Sequence, residues 1–173
     1  SFSRRQRQMC IRDSYNSMLS NTTGCRNTTF GSKALDANTT GKCLVAIGHG
    51  ALSTNTTGDR NIAVGDVALE QNTTGTNNTA VGWAALITNT TGACNTASGY
   101  GALYDNTTGC HNVAVGTLSL RNNETANYNV SVGACNLVGN TTGSYNVGVG
   151  FKSLLANTTG AGNTASGYGT LRD

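Results

Sequence analysis

The chain has no proline, and only 11% of its 173 residues are charged, against about 25% in a typical soluble protein. The absence of proline leaves every backbone N–H able to donate, which favours uninterrupted strand ladders. Aromatic residues make up only 6%, so a thick globular core is not expected. No apolar run approaches the ~20 residues that span a bilayer, so we predict no membrane insertion.

The net charge of +3 comes from 11 Lys and Arg residues against 8 Asp and Glu residues. Four of the arginines and one aspartate lie within residues 4–14, which leaves the rest of the chain neutral. The excess of positive charge is therefore local, and it does not indicate a nucleic-acid partner.

Histidine is scarce, since His49 and His111 are the only two. Neither stands in a pattern with a carboxylate or a cysteine that would indicate catalysis, and no phosphate-binding Gly-Lys-Ser/Thr sequence follows the many glycines. We predict that the chain is not an enzyme and takes no cofactor and no metal.

In contrast, the tetrad Asn-Thr-Thr-Gly is abundant and returns every 17 residues, with Asn-Glu-Thr-Ala in its place once, at Asn123. Nine units of 17 residues occupy residues 21–173, and residues 15–20 form a partial unit before them. Positions 1–17 are counted below from the first Asn of each unit. A fixed period of this kind indicates a repeat architecture. The position-1 residues are Asn21, Asn38, Asn55, Asn72, Asn89, Asn106, Asn123, Asn140 and Asn157.

Within each unit, position 11 is Gly, position 9 is small, and positions 8 and 10 are mostly β-branched, as in Ile62 and Val64. This alternation predicts a strand at positions 7–11 and, after a Gly corner, a second short strand at positions 12–16. Position 15 is always Leu and is predicted to form the core: Leu35, Leu52, Leu69, Leu86, Leu103, Leu120, Leu137, Leu154 and Leu171.

One unit cannot bury its own Leu, but stacked units can. We therefore predict an all-β fold, a parallel β-solenoid or β-roll that grows by ~4.8 Å per coil and reaches roughly 43 Å in nine coils. The small residue at position 9 has two interpretations, tight packing inside a flat coil or a close interface with a neighbouring chain.

Asparagine at positions 1 and 7 is predicted to form ladders in which each amide hydrogen-bonds to its copies above and below. Leu44 is the single break in the position-7 row. The Gly at position 4, as in Gly58 and Gly75, is predicted to occupy a turn that needs a positive φ.

Two pairs of cysteines fall on adjacent coils, at positions 5 and 6. Cys25 with Cys43, and Cys94 with Cys110, are therefore candidate disulfides, which would indicate a compartment outside the reducing cytosol. The alternative is that they are small residues of a reduced protein. Cys135 has no such neighbour and is either free or intermolecular.

Residues 1–14 break the repeat. Residues 4–14 resemble the in-frame translation of a sequencing adapter, so we interpret residues 1–14 as a non-native leader. The alternatives are a basic capping coil and a furin-like cleavage motif, Arg4-x-x-Arg7.

Many of the repeated asparagines stand in Asn-x-Ser/Thr sequons. Glycans ~4.8 Å apart would collide, so we expect the position-1 row to be unmodified. Sparse occupancy, at Asn77 or Asn129, is the alternative.

The consensus Asn-Thr-Ala-Val-Gly-x-x-Ala-Leu-x-x-Asn-Thr-Thr-Gly resembles the head repeats of trimeric autotransporter adhesins over residues 15–173. It is still more similar to the longer repeats of tail-fibre-like proteins of phages, algal viruses and some bacteria. The adhesin motif is usually shorter and lacks the added Asn-Thr-Thr-Gly loop. The resemblance implies a left-handed parallel β-roll, often trimeric, that serves as an extracellular stalk or adhesive head. It brings no catalytic residues.

The leading functional hypothesis is thus a structural and adhesive segment of an extracellular, cell-surface or virion fibre, which self-associates as a homotrimer or filament. Position-12 aromatics are candidate contacts to a glycan receptor, although edge packing is the simpler and favoured explanation: Trp83, Tyr100, Phe151 and Tyr168. The rival hypothesis is an ice-binding solenoid that uses the Thr rows at positions 2 and 3, although adjacent Thr side chains should point to opposite sides of an extended chain.

Overall fold

The computed structural model of the chain describes residues 11–12 and 14–171, and it shows the predicted parallel β-solenoid with one turn per 17 residues. Each strand pairs in parallel with the strand one coil away, and each register offset is one repeat, as in Ala63 opposite Ala80. The strands are β1 Ile11–Arg12, β2 Thr28–Phe30, β3 Val45–Ile47, β4 Ile62–Val64, β5 Thr79–Val81, β6 Thr96–Ser98, β7 Val113–Val115, β8 Val130–Val132, β9 Val147–Val149 and β10 Thr164–Ser166.

The strand of each complete coil covers only positions 8–10, and the predicted second strand at positions 12–16 is wrong. These positions form turns because positions 13 and 15 take the left-handed backbone region, as in Val67 (φ 49°) and Leu69 (φ 53°). An extended strand cannot pass through such residues.

Hydrogen bonds between coils nevertheless continue through the turns. The N–H of Leu69 donates to the carbonyl of Ala85 at 2.9 Å, and the N–H of Val67 donates to the carbonyl of His49 at 2.8 Å. A left-handed conformation costs about 1–2 kcal/mol at a non-glycine residue. Burial of a leucine stabilises by about 1.5–3 kcal/mol, which offsets that cost.

The core is the predicted Leu column together with small residues at positions 9 and 14. Every Leu of this column from Leu35 to Leu137 has no exposed surface, and Leu154 is 3% exposed. Leu171, the last described residue, is the exception at 57% exposed. In the partial coil, Met18 takes the place of the Leu, with 6% exposure and a φ of 51°.

Position 9 packs inside the coil, which decides between the two interpretations of its small size. Ser131 at position 9 accepts a hydrogen bond at 2.6 Å from the hydroxyl of Ser119 at position 14 of the preceding coil. Where position 14 carries the larger Asn136, position 9 of the next coil is Gly148, whose missing Cβ would lie 3.0 Å from Nδ2 of Asn136. The two positions therefore compensate each other in volume.

Glycine is required at positions 4 and 11 for different reasons. The predicted positive φ at position 4 is wrong, because these glycines have no left-handed backbone. A Cβ at Gly75 would instead lie 2.5 Å from the carbonyl oxygen of Gly92 in the next coil. The glycines at position 11 do have a positive φ, which is 131° at Gly82.

Residues 1–10 and 13 of the predicted leader lie outside the described residues. The backbone of Ile11–Arg12, within the same segment, pairs in register with β2. The non-native origin of residues 1–14 stays a prediction.

Candidate functional surfaces

The position-1 asparagines form a continuous ladder along the solenoid, as predicted. Each Nδ2 donates to Oδ1 of the Asn one coil earlier, at distances of 2.8–3.1 Å. The same nitrogen also donates to a backbone carbonyl three residues ahead, as from Asn72 to Gly75 at 3.1 Å. The side chains from Asn38 to Asn140 are fully buried, so this ladder supports the coil rather than offering a binding surface.

The position-7 asparagines link the coils chiefly through the backbone, which differs from the predicted amide stack. Oδ1 of Asn61 accepts the backbone N–H of Asn78 at 2.9 Å, and Nδ2 of Asn61 donates to the carbonyl of Gly75 at 2.7 Å. An amide-to-amide bond also joins Asn112 to Asn95 at 3.2 Å. Both asparagine columns therefore stabilise the turn that position 4 closes.

The outer face of the sheet presents two rows of side chains, from positions 8 and 10. Position 9 between them is buried in every complete coil, so these rows point outward. Position 10 is exposed and apolar in most coils, with 40% exposure at Val81 and 39% at Val115. An apolar row repeated along a sheet face is a candidate surface for association.

The position-12 aromatics lie on the surface in two stacked pairs. Trp83 and Tyr100 have ring centroids 4.7 Å apart and planes 15° apart, and they are 43% and 52% exposed. Phe151 and Tyr168 are 5.6 Å apart at 26°, and Lys152 Nζ lies 5.0 Å from the ring centroid of Phe151. The predicted surface location is correct, and part of each ring surface is covered by its partner.

A second aromatic column, which the sequence reasoning missed, lies at position 6. His111, Tyr128 and Tyr145 stack at 4.9 and 5.1 Å with planes 2° and 7° apart. All three side chains are exposed and their residues have positive φ. A comparison of position 6 between units would have found this column, since three consecutive units carry an aromatic ring there.

One shallow cleft brings together residues from three consecutive coils. Its volume is about 280 Å³, and it is lined by Trp83, Tyr100, Tyr104, Leu118 and Arg121. The guanidinium carbon of Arg121 lies 5.8 Å from the ring centroid of Tyr104. The cleft thus combines aromatic surface with one cation.

The predicted disulfides are not present, since all five described cysteines are free. The backbones of each pair are adjacent, and the N–H of Cys43 donates to the carbonyl of Cys25 at 3.0 Å. However, Sγ of Cys110 at position 5 accepts the N–H of Ala93 at 3.3 Å, while Cys94 at position 6 is exposed. Positions 5 and 6 belong to different side-chain columns, so neighbouring backbones do not bring the two sulfurs together.

Few of the described side chains are of a type that could take part in catalysis or bind a metal ion. His49 Nδ1 lies 3.1 Å from Oδ1 of Asp66, and both side chains are exposed. Within residues 14–171, no three His, Cys, Asp or Glu side chains are grouped closely enough to hold a metal ion. No helix that could cross a membrane occurs in the same part of the chain.

The threonines of the tetrad have two different environments. The hydroxyl at position 2 donates to the carbonyl of the same position in the next coil, as from Thr56 to Thr73 at 3.0 Å. Position 3 is exposed, as at Thr57. The two threonines therefore do not form one common outer face.

The two sequons singled out by the sequence also differ in their surroundings. Asn77 at position 6 is exposed, whereas Asn129 at position 7 is fully buried. The amide of Asn129 donates to the carbonyl of Gly143 at 2.9 Å. Asn129 is thus unsuited to glycosylation in the folded chain, and Asn77 stays a candidate.

Comparisons of the chain with protein-family models, with curated proteins and with solved structures found no match.

Proposed function

We propose that this chain is a rod-forming segment of an extracellular, cell-surface or virion fibre, with structural and adhesive roles and no catalytic role. The observation that carries the proposal is the unbroken asparagine ladder, in which eight consecutive amide-to-amide bonds join nine coils. A ladder that repeats identically in each coil resists bending at any one coil, because stability comes from each coil's contacts with its neighbours. Stiffness of this kind suits display and attachment at a distance.

The extracellular or virion location rests on the resemblance to adhesin and tail-fibre repeats. The cysteines lend it no support, since the five described ones are free. Low charge also fits a fibre that associates through shape and apolar contact, because an almost neutral surface has little self-repulsion.

Self-association is proposed to use the strand face, with further copies of this chain as the occupants. The exposed side chains at position 10 recur at the coil spacing of about 4.8 Å, so a second copy carries the same repeat and can match it along the whole face. Val81, Val115, Val132 and Val149 are each 38–41% exposed there. A homotrimer, as in the resembling adhesins, or a lateral filament would cover this row.

Solution scattering combined with sedimentation tests both parts of the proposal. We expect an elongated, self-associating particle whose length agrees with ~4.8 Å per coil. Val115→Lys should shift the particle toward monomer, because a charge in a covered apolar row is strongly unfavourable. Asn77→Lys, on the exposed position-6 column, is the matched control and should leave association unchanged. A compact particle would reject the rod, and an elongated monomer at all concentrations would reject the self-association.

Ice binding is the alternative function. The observation that favours it is the regularity of the strand face, where Thr79 and Val81 point outward on either side of the buried Ala80, and the next coil repeats the arrangement with Thr96 and Ser98. The hydroxyls at position 2 are already donated to backbone carbonyls, so this face replaces the predicted Thr pair as the candidate. Thermal hysteresis in dilute solution of the monodisperse protein would support ice binding, and its absence would remove this alternative.

A further inference from the structure

We propose that the cleft lined by the fourth, fifth and sixth coils, which begin at Asn72, Asn89 and Asn106, binds a carboxylate-bearing sugar. Arg121 is the group that recognises the carboxylate. This proposal rests on the adhesive role proposed above and assigns it a ligand class and a place. Five residues line the cleft: Trp83, Tyr100, Tyr104, Leu118 and Arg121.

The cleft is formed at the two most variable positions of the repeat, 12 and 13. Position 12 is aromatic in two consecutive coils, at Trp83 and Tyr100. Position 13 of the second of these coils is Gly101, directly after Tyr100. A Cβ at Gly101 would lie 2.9 Å from Cδ2 of Leu118, so the missing side chain leaves room for Leu118 to lie over the backbone of the neighbouring coil. Leu118 thus adds an aliphatic surface to the aromatic side chains that line the cleft.

Arg121 provides an available positive charge at the edge of this floor. The ion pair found in residues 14–171 joins His49 and Asp66, so Arg121 has no carboxylate within ion-pair distance in that part of the chain. The backbone N–H of Asp105 donates to the carbonyl of Arg121 at 2.8 Å, but no ion pair joins the two side chains. The guanidinium lies over the ring of Tyr104, and this contact holds its position. The Arg121 side chain is exposed, so its N–H groups are available to a ligand.

The chemistry and the size of the cleft select the ligand class. A pyranose ring has C–H groups that pack on aromatic and aliphatic side chains, while a carboxylate on the ring can accept two N–H bonds from one guanidinium. The cleft of about 280 Å³ is slightly smaller than the ~300–1,000 Å³ usual for small-molecule sites, which suits a ligand of one or two sugar rings. A stable protein interface needs about 800 Å² from each partner, which five residues do not supply.

Trp83 is the only tryptophan in the chain and lines the cleft, so its fluorescence reports binding directly. The full chain would be titrated with 3′-sialyllactose and with a glucuronic-acid disaccharide, and lactose would serve as the neutral probe. We expect both acidic sugars to change Trp83 emission saturably, with lactose at least about tenfold weaker because it lacks the carboxylate. Saturation-transfer NMR would confirm contact between the sugar ring protons and the protein.

Arg121→Gln should weaken acidic-sugar binding by about tenfold and leave lactose binding unchanged, because only the carboxylate contact is lost. Arg60→Gln is the matched control, since Arg60 is an exposed arginine at position 6 of another coil. Circular dichroism would verify that both variants keep the fold. The proposal is overturned if neither acidic sugar perturbs Trp83, or if the two arginine variants behave alike. Scattering from the unliganded protein tests the rod separately, so a failure here leaves that result standing.

Discussion

Asn72 donates a hydrogen bond from Nδ2 to Oδ1 of Asn55, one coil earlier, at 2.8 Å, and both side chains are fully buried. The amide is suited to this place because it carries a donor and an acceptor on one planar group. Each Asn can therefore donate to the coil before it and accept from the coil after it. Stacking at position 1 therefore requires asparagine itself, since a polar side chain without both a donor and an acceptor cannot continue the ladder.

Asn72→Asp should destabilise the solenoid strongly while keeping the shape of the side chain. The substitution removes the donor to Asn55 and to Gly75 and places a carboxylate oxygen against Oδ1 of Asn55. Loss of partners in a buried polar network costs about 3–5 kcal/mol. Denaturant unfolding followed by circular dichroism measures the change. Asn77→Asp is the matched control at an exposed position and should change stability by less than about 0.5 kcal/mol. Equal effects of the two variants would mean that the ladder does not stabilise the fold.

Gly82→Ala should be much more damaging than Gly50→Ala. Gly82 has a φ of 131°, and an added Cβ would lie 2.5 Å from the carbonyl oxygen of Gly99, which is a backbone atom that cannot move alone. Backbone strain of this kind costs about 1–3 kcal/mol before the collision is counted. Gly50 has a φ of 65°, and its nearest neighbour to an added Cβ is a side-chain carbon of Val67 at 3.4 Å. Other coils place non-glycine residues at the position of Gly50, so its variant should lose about 1 kcal/mol or less. Thermal unfolding of the two variants side by side would show a much larger decrease in midpoint for Gly82→Ala, and the reverse order would contradict this account of the corner.

Leu86→Ala should lower the free energy of unfolding by about 2–5 kcal/mol, because it opens a cavity between two coils in a thin core. Leu86 is fully buried, whereas Val81 is 40% exposed on the strand face. Val81→Ala in the same coil is the control and should have an effect below about 1 kcal/mol on the monomer. Chemical denaturation at a protein concentration where self-association is absent separates the two. A small effect of Leu86→Ala would show that the Leu column is not the main apolar core.

The cysteines should react as free thiols in the native protein without added reductant. Cys43 and Cys94 are exposed, while Cys25, Cys110 and Cys135 are half-buried. Because alkylation needs access to the sulfur, we expect the first two to react on the order of tenfold faster under native conditions. Mass spectrometry after timed alkylation and proteolysis measures each site. Disulfide-linked peptides joining Cys25 to Cys43 and Cys94 to Cys110 in the unreduced digest would show that these pairs form disulfides after all.

Much of the architecture can be predicted from particular residues. The invariant Leu column and the small residues at position 9 indicate which side chains face inward, and the structure buries the column from Leu35 to Leu154 and position 9 from Thr29 to Ala165. The Asn-Thr-Thr-Gly period fixes the register, which the structure reproduces in every strand pair, as in Val81 opposite Ser98. The candidate site was only partly predictable: the surface location of Trp83 and Tyr100 followed from their position, but the contribution of Tyr104, Leu118 and Arg121 did not. These three come from other positions of the repeat, and only the turn geometry brings them to the same cleft.

The amino-acid sequence alone determined the repeat, the coil length, the in-register stacking and the inward rows, because a 17-residue period can bury its leucines only by placing each unit against the next. The tertiary structure decided the backbone between the strands. There, Leu69 and its equivalents take a left-handed conformation that local propensity disfavours and that burial and inter-coil hydrogen bonds stabilise. It also decided that Cys94 and Cys110 are free thiols and that Arg121 lies over Tyr104. Side-chain direction depends on backbone angles, and in this chain those angles are set by contacts between coils rather than by the residues of any one coil.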